Sequence, residues 1–158
     1  MNTNKEVLIT QAGLEETKQE LIYLKGAKRI DIAQKIKTAR EFGDISENSE
    51  YDEAKNEQAE TEVRIVKLEG IIKFAKIIDE KKLSKHKVSI GSMVTVLDIE
   101  YDEEDTYKIV GSTEADPYEN KISNESPVGM ALLGHKVGTV VEVQVPSGML
   151  NYKIVKIV

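Results

Sequence analysis

Positions Tyr51, Ala54, Gln58, Thr61, Ile65, Leu68, Ile72 and Ala75 follow one another in alternating steps of three and four. No other feature constrains the fold as tightly, because a stripe this narrow is the seam of a coiled coil and no single helix can hide it. A partner lies upstream. Thr10 is a suitable N-cap, and Leu14, Thr17, Leu21 and Leu24 continue through Lys28, Ile32, Ile36 and Ala39. Between Leu24 and Ile36 three successive steps of four form a stutter, which locally unwinds a supercoil. Each stripe predicts a helix of roughly 30 residues, about 45 Å long. Gly43 breaks the chain between them, and so short a connection forces the helices antiparallel. Each stripe is then the other's core.

The pattern changes after Asp79-Glu80-Lys81-Lys82. Lysine and serine dominate to Lys87 and read as a linker, so the expected domains are 1–80 and 81–158. Beyond it, strands are predicted at Met93 to Ile99, Thr106 to Val110, Thr139 to Val145 and Leu150 to Val158. Val141, Val143 and Val145 share one face, with Glu142 and Gln144 on the other. Glu100 to Asp105 reads as a charged hairpin connection, and Pro146-Ser147-Gly148 as the last turn. One short helix interrupts the strands: Ser126 caps it, Pro127 occupies its first position and Gly134 closes it. The fold class is therefore α+β, a helical coiled-coil hairpin followed by a small, mostly antiparallel sheet.

Several functions are made improbable by composition. No apolar run is long enough to cross a bilayer, and Met1 to Glu6 holds no secretory signal, so a cytoplasmic location is expected. The chain has no cysteine, which removes disulfides and thiolate zinc sites. His86 and His135 are then poor candidates for zinc and receive no role. A net charge of −6 argues against nucleic-acid binding by bulk electrostatics.

The residues at the hairpin tip bear on function. Asp44 and Glu47 follow the breaker three positions apart, a spacing that puts both on one side of a helical first turn. Two readings stand side by side. Asp44 and Glu47 form a capping box that satisfies orphan N–H groups, or a narrow rod delivers paired carboxylates into a deep place. Ser46 or Asn48 could take over the cap. Tyr51 starts the seam and should close the top of the hairpin, whereas Phe42 and Ile45 lie outside it and are candidates for contact with a partner. Charge is uneven. From Glu41 to Glu62 there are nine acids and the single base Lys55, while Lys25, Lys28, Arg29, Lys35, Lys37 and Arg40 line the first helix. The acids suit a solvated face. Lys35, Lys37 and Arg40 suit either solubility or a sequence-blind track for RNA, weak because no aromatics interleave to stack bases.

Two separated stretches resemble one family. Ala39-Arg40-x-x-Gly43-Asp44-Ile45-Ser46-Glu47-Asn48-x-Glu50-Tyr51-x-x-Ala54-Lys55 is similar to the tip signature of the bacterial Gre transcript-cleavage factors. Downstream stand Val110-Gly111-Ser112-x-Glu114-Ala115-Asp116 and Ile122-Ser123-x-x-Ser126-Pro127-x-Gly129-x-Ala131-Leu132-Leu133-Gly134, in the order, spacing and total length of the GreA type. The resemblance implies a C-terminal domain similar to the FK506-binding fold, docked on bacterial RNA polymerase through Glu125, Ser126 and Pro127. It implies a coiled coil reaching down the secondary channel, where Asp44 and Glu47 assist hydrolysis of backtracked RNA near its 3′ end. The chain is then not an enzyme by itself and holds no cofactor alone; magnesium is shared with the polymerase active site. A monomer is expected.

The departures from the family pattern are few. Ile30 replaces a frequent proline, which predicts a less kinked first helix, and Ile45 and Ser49 are mild changes. Met130 and His135 stand where arginine and lysine are frequent, a difference that bears on the details of docking. Two other readings remain for comparison. A Gre-like inhibitor would occupy the channel without promoting cleavage, but the intact Asp44/Glu47 pair favours cleavage. A prolyl isomerase is disfavoured because Phe42 and Phe74 both fall in the coiled coil and tryptophan is absent, leaving neither for an aromatic pocket.

Overall fold

A computed structural model describes residues 5–43 and 47–158. It contains β1 (Val7–Thr10), α1 (Gln11–Tyr23), a π-helical turn (Leu24–Lys28), α2 (Arg29–Glu41), α3 (Ser49–Phe74) and β2 (Ala75–Ile78). There follow β3 (Met93–Asp98), β4 (Glu103–Val110), β5 (Lys121–Ser123), α4 (Pro127–Leu132), β6 (Val140–Val145) and β7 (Gly148–Ile157). Two compact units result, and their boundary differs from the 80/81 division expected above. Leu14–Phe74 is one unit; the segment up to Gly13 belongs with Ala75–Val158 in the other.

In the helical unit the seam is buried as its period predicts. Leu24, Ile32, Ile36 and Ala39 are buried on one side of the hairpin, and Ala54, Thr61, Ile65 and Leu68 on the other. Thr61 survives there because its hydroxyl donates to the Glu57 carbonyl one turn back, at 2.7 Å. The stutter has a structural counterpart. Each four-residue step overshoots a turn by about 40° at 3.6 residues per turn. The π turn at Leu24–Lys28, with its i→i+5 bonding, widens the helix where those steps begin. At the far end the seam departs from expectation. Ile71 is buried where Ile72 was predicted, and Ala75 is a strand residue, because the helix stops at Phe74.

Ion pairs fix the hairpin's direction. Lys25 meets Glu69 at 2.7 Å, Arg29 meets Glu62 at 2.7 Å, and Lys35 meets Glu57 at 3.0 Å. One set of numbers rises as the other falls, so the helices are antiparallel. Arg29 and Arg64 grip Glu62 and Glu20 with two bonds each, the fork geometry that suits guanidinium and carboxylate.

The second unit holds a five-stranded sheet in the order β5-β4-β3-β7-β6. The β4–β5 pair is parallel and the other three are antiparallel, so the sheet is mixed. Val94, Val96, Val141, Val143, Tyr152, Ile154 and Ile157 face a core that Leu132 of α4 closes. Fully burying each Val, Ile or Leu is worth about 1.5–3 kcal/mol. Ile154 and Ile157 have odd spacing for one face. A register shift opposite Thr95/Val96 skips Val155 and turns both inward. Strand β4 begins at Glu103, inside the stretch expected to be a loop, and Asp98 tightens the turn by accepting from the amides of Glu100 and Tyr101.

Three strands were not foreseen: β5 and the parallel pair β1–β2, in register from Val7↔Ala75 to Thr10↔Ile78. Thr10 ends β1 and also caps α1, its hydroxyl accepting from Gly13 N–H at 3.0 Å. Glu114 secures that corner. Its carboxylate accepts from the Thr10 amide at 2.8 Å and the Thr10 hydroxyl at 2.5 Å.

Candidate functional site

The hairpin tip is built by one side chain more than any other. Asn48 caps α3: its Oδ1 accepts from Tyr51 N–H at 3.1 Å, and its carbonyl accepts the first helical bond, from Asp52 N–H at 3.1 Å. Its Nδ2 donates to the Ala39 carbonyl in the last turn of α2, at 2.6 Å. Gly43, at φ +127, supplies a backbone conformation that residues with a Cβ rarely adopt.

This corrects one expectation. Glu47 does not lie in the first turn of α3, which starts at Ser49 with Asn48 as its cap; its own backbone is 3-10 helical. Glu47 stands just ahead of the cap and is exposed. Asp44 and Ile45, with Ser46, lie outside the described residues. Phe42 is 74% exposed, off the seam as predicted. Tyr51 packs on Ile32, Ile36 and Ala54 and carries the Arg40 guanidinium 5.8 Å from its ring centre.

Most of the basic stretch is engaged within the hairpin. Lys28 and Lys35 both bind Glu57, and Lys35 also binds Asp31 at 3.1 Å. The Lys28 ammonium, then that of Lys35, holds the Glu57 carboxyl below its usual range. Glu57, then Asp31, raises Lys35. Lys37 and Arg40 are exposed and, among the described residues, make no ion pair. Among the described residues no three acidic or histidine side chains gather as a metal site.

A second polar cluster surrounds the start of α4. Ser126 caps the helix, accepting from Gly129 N–H at 3.1 Å and donating to the Ser123 carbonyl at 2.7 Å, and Pro127 opens it. Glu125 pairs with Lys5 and accepts from the Ser112 hydroxyl at 2.7 Å. Lys5, then Ser112, lowers the Glu125 carboxyl from its ordinary value. The three predicted docking residues are thus adjacent and ordered by one another's neighbours.

With this geometry established, comparison with known proteins is decisive. Residues 7–77 match the family described as "Transcription elongation factor, N-terminal", and residues 83–158 that described as "Transcription elongation factor, GreA/GreB, C-term". The transcription elongation factor GreA of Acetivibrio thermocellus is 60% identical over 157 residues, covering 99% of each chain. That of Clostridioides difficile is 57% identical over the same share of both. The chain belongs to the GreA/GreB family of transcription elongation factors. Among solved structures, GreA factor homolog 1 of Thermus thermophilus is 33% identical, covering 98% of this chain and 99% of that one, at a TM-score of 0.43.

Two residues of this Gre-family chain were undervalued by reading the sequence. Glu114 lies inside the second quoted motif, but its bonds to Thr10 span 104 positions and carry no local signal. Asn48 was recognisable as a cap; its bond back to Ala39 was not. The departures fall on the surface: Ile30 is 72% and Met130 60% exposed, and His135 is exposed as well.

Proposed function

We propose that this Gre-family factor acts on bacterial RNA polymerase, reaching its active site through the secondary channel and stimulating hydrolysis of backtracked RNA. The observation that carries the reading is Glu47: exposed, at the tip of a narrow hairpin, and relieved of capping duty by Asn48. A carboxylate that makes no ion pair or side-chain hydrogen bond among the described residues, at such a place, is available for chemistry.

Residues 44 and 47 fit a hard cation through their oxygen donors, and magnesium characteristically takes one or two protein carboxylates together with phosphate and water. Magnesium, shared with the polymerase, would stabilise charge on the phosphate and render a bound water nucleophilic. The chain's own part is narrower. A Glu47 carboxylate oxygen orients the attacking water and accepts its proton as the water oxygen bonds to phosphorus. The bond from phosphorus to the 3′ oxygen breaks, and that oxygen takes a proton from a solvent water as it leaves as a hydroxyl. Asp44 is assigned the same donor role. Phe42 and Ile45 are tip contacts to the polymerase or RNA. Lys37 and Arg40 are open to the RNA 3′ end, whereas Lys35 would first have to leave Glu57. Glu125, Ser126 and Pro127 are the docking residues. We place the factor in the cytoplasm as a monomer; no helix among the described residues is long and apolar enough to cross a membrane.

The test is a stalled, backtracked elongation complex scored for shortening of the RNA 3′ end. Asp44→Asn with Glu47→Gln keeps shape and capping capacity while removing charge. Polymerase binding should persist, cleavage should fall by orders of magnitude, and residual cleavage should need more magnesium. Cleavage at the parent rate, with saturating protein and low magnesium, refutes the carboxylate role. Ser126→Ala with Pro127→Ala should weaken polymerase binding in competition; unchanged affinity of the folded variant refutes the docking assignment.

A further inference from the structure

The Asn48 side chain works in two directions. Its oxygen faces the Tyr51 amide and its nitrogen faces the Ala39 carbonyl, so backbone partners on both sides dictate the amide's orientation. Ala39 O belongs to the last turn of α2, where carbonyls lack helical partners. It already accepts from Phe42 N–H at 3.3 Å, and Asn48 takes the remaining lone pair. One planar amide therefore joins the last turn of α2 to the first turn of α3. Arg40 over the Tyr51 ring is a second strap across the same ends.

Capping alone does not require asparagine. Serine and aspartate cap about as well. Aspartate offers only acceptors and would face the Ala39 carbonyl with like polarity. Serine has one short-stemmed oxygen, which cannot lie both on the Tyr51 amide and against Ala39. A donor and an acceptor on a rigid fork are needed only where the loop ends must be held together. Glu47 is the residue bonded directly to Asn48, so holding those ends holds the peptide that carries its carboxylate.

The geometry points to Asn48 as a positioning residue for transcript cleavage, acting through Glu47 by tying the cap of α3 to the Ala39 carbonyl. This rests on the carboxylate role proposed above. Asn48 touches no reacting atom; it sets where Glu47 is presented. Misplacement of a reacting group by about 1 Å can cost about 10²-fold in rate.

The experiment uses full-length Asn48→Ser and Asn48→Asp in the backtracked-complex assay, with circular dichroism to confirm helical content. Both variants keep a cap, and they alter the tip differently, so either serves if the other fails to fold. The half-saturating protein concentration should be unchanged while the maximal cleavage rate falls by about 10²-fold. A merely structural role predicts the reverse: weaker binding or a lower melting temperature, with the parent rate restored at saturation. That result overturns the inference. Combining Asn48→Ser with Glu47→Gln should lower the rate no further than Glu47→Gln alone, because one residue acts through the other; a full multiplicative loss overturns it. If Glu47→Gln is inactive and both Asn48 variants cleave at the parent rate, this inference alone fails. If Glu47→Gln cleaves normally, the carboxylate role fails and this inference with it.

Discussion

Replacing Gly111 by alanine tests how the β1 segment is held. A Cβ built on Gly111 would stand 1.9 Å from the Leu8 carbonyl oxygen and 3.0 Å from its carbon. Ordinary carbon–oxygen contact is about 3.3 Å, so the backbones must separate by about 1.4 Å. The neighbour is backbone and cannot rotate away. Leu8 lies two residues before Thr10, whose amide and hydroxyl bind Glu114 at 2.8 and 2.5 Å. A retreat of that size breaks both bonds. Hydrogen bonds to a charged group contribute about 1.5–3 kcal/mol each, and water recovers part of that at the half-buried Glu114, so a net loss of about 3 kcal/mol is expected. Two units need not unfold together, so a local probe is required. The Thr10 amide is suitable because its proton points at Glu114. Its hydrogen exchange should accelerate by about 10²-fold, with a lower urea midpoint for the sheet unit. Parent-like Thr10 exchange in Gly111→Ala, with the midpoint unchanged, would refute the argument.

The same substitution at Gly70 should act with the opposite sign. A Cβ there meets nothing within 4 Å inside α3, so Gly70→Ala should stabilise by about 0.5–1 kcal/mol; a lower melting temperature refutes this. Leu132 is fully buried between α4 and the sheet, and Leu132→Ala should cost about 2–5 kcal/mol in urea unfolding; less than about 1 kcal/mol would show that the site collapses around the deletion. Burial, then the Asp105 charge, pushes the Tyr107 phenol up to about 12. The unfolded phenol ionises near 10, so this contribution to stability is intact below about pH 10 and is lost as pH rises through about 12. Stability measured across that window should fall more steeply in the parent than in Tyr107→Phe, and equal slopes refute the assignment.

The helical unit was legible because its information is periodic and local. Steps of three and four identify the buried side of α3 from Ala54 to Leu68, and the run of fours marks where α2 must adjust its winding. Alternation likewise reveals β3 and β6, and Ser126-Pro127 announces α4. The tip motif was legible as a motif, although α3 starts at Ser49, after Glu47, with Asn48 as its cap. Asp44 followed by Glu47 has the form of a capping box; the cap of α3 is held by Asn48, whose side chain also reaches the Ala39 carbonyl.

What only the tertiary structure decided depends on groups distant in sequence. Strands β1 and β2 have four residues each, too few to show a period, and Ala75 continued a heptad seam until Val7 gave it a parallel partner. Which lysine meets which glutamate follows from hairpin register, so the basic stretch read as a track until Glu57, Glu62 and Glu69 were placed beside it. Gly111 and Glu114 look like ordinary loop residues; the close approach of the Leu8 carbonyl and the bonds to Thr10 give them their roles. Period, propensity and capping act over one or two turns and can be read along the chain. Register, close approach and long-range hydrogen bonds exist only once the chain has folded back on itself.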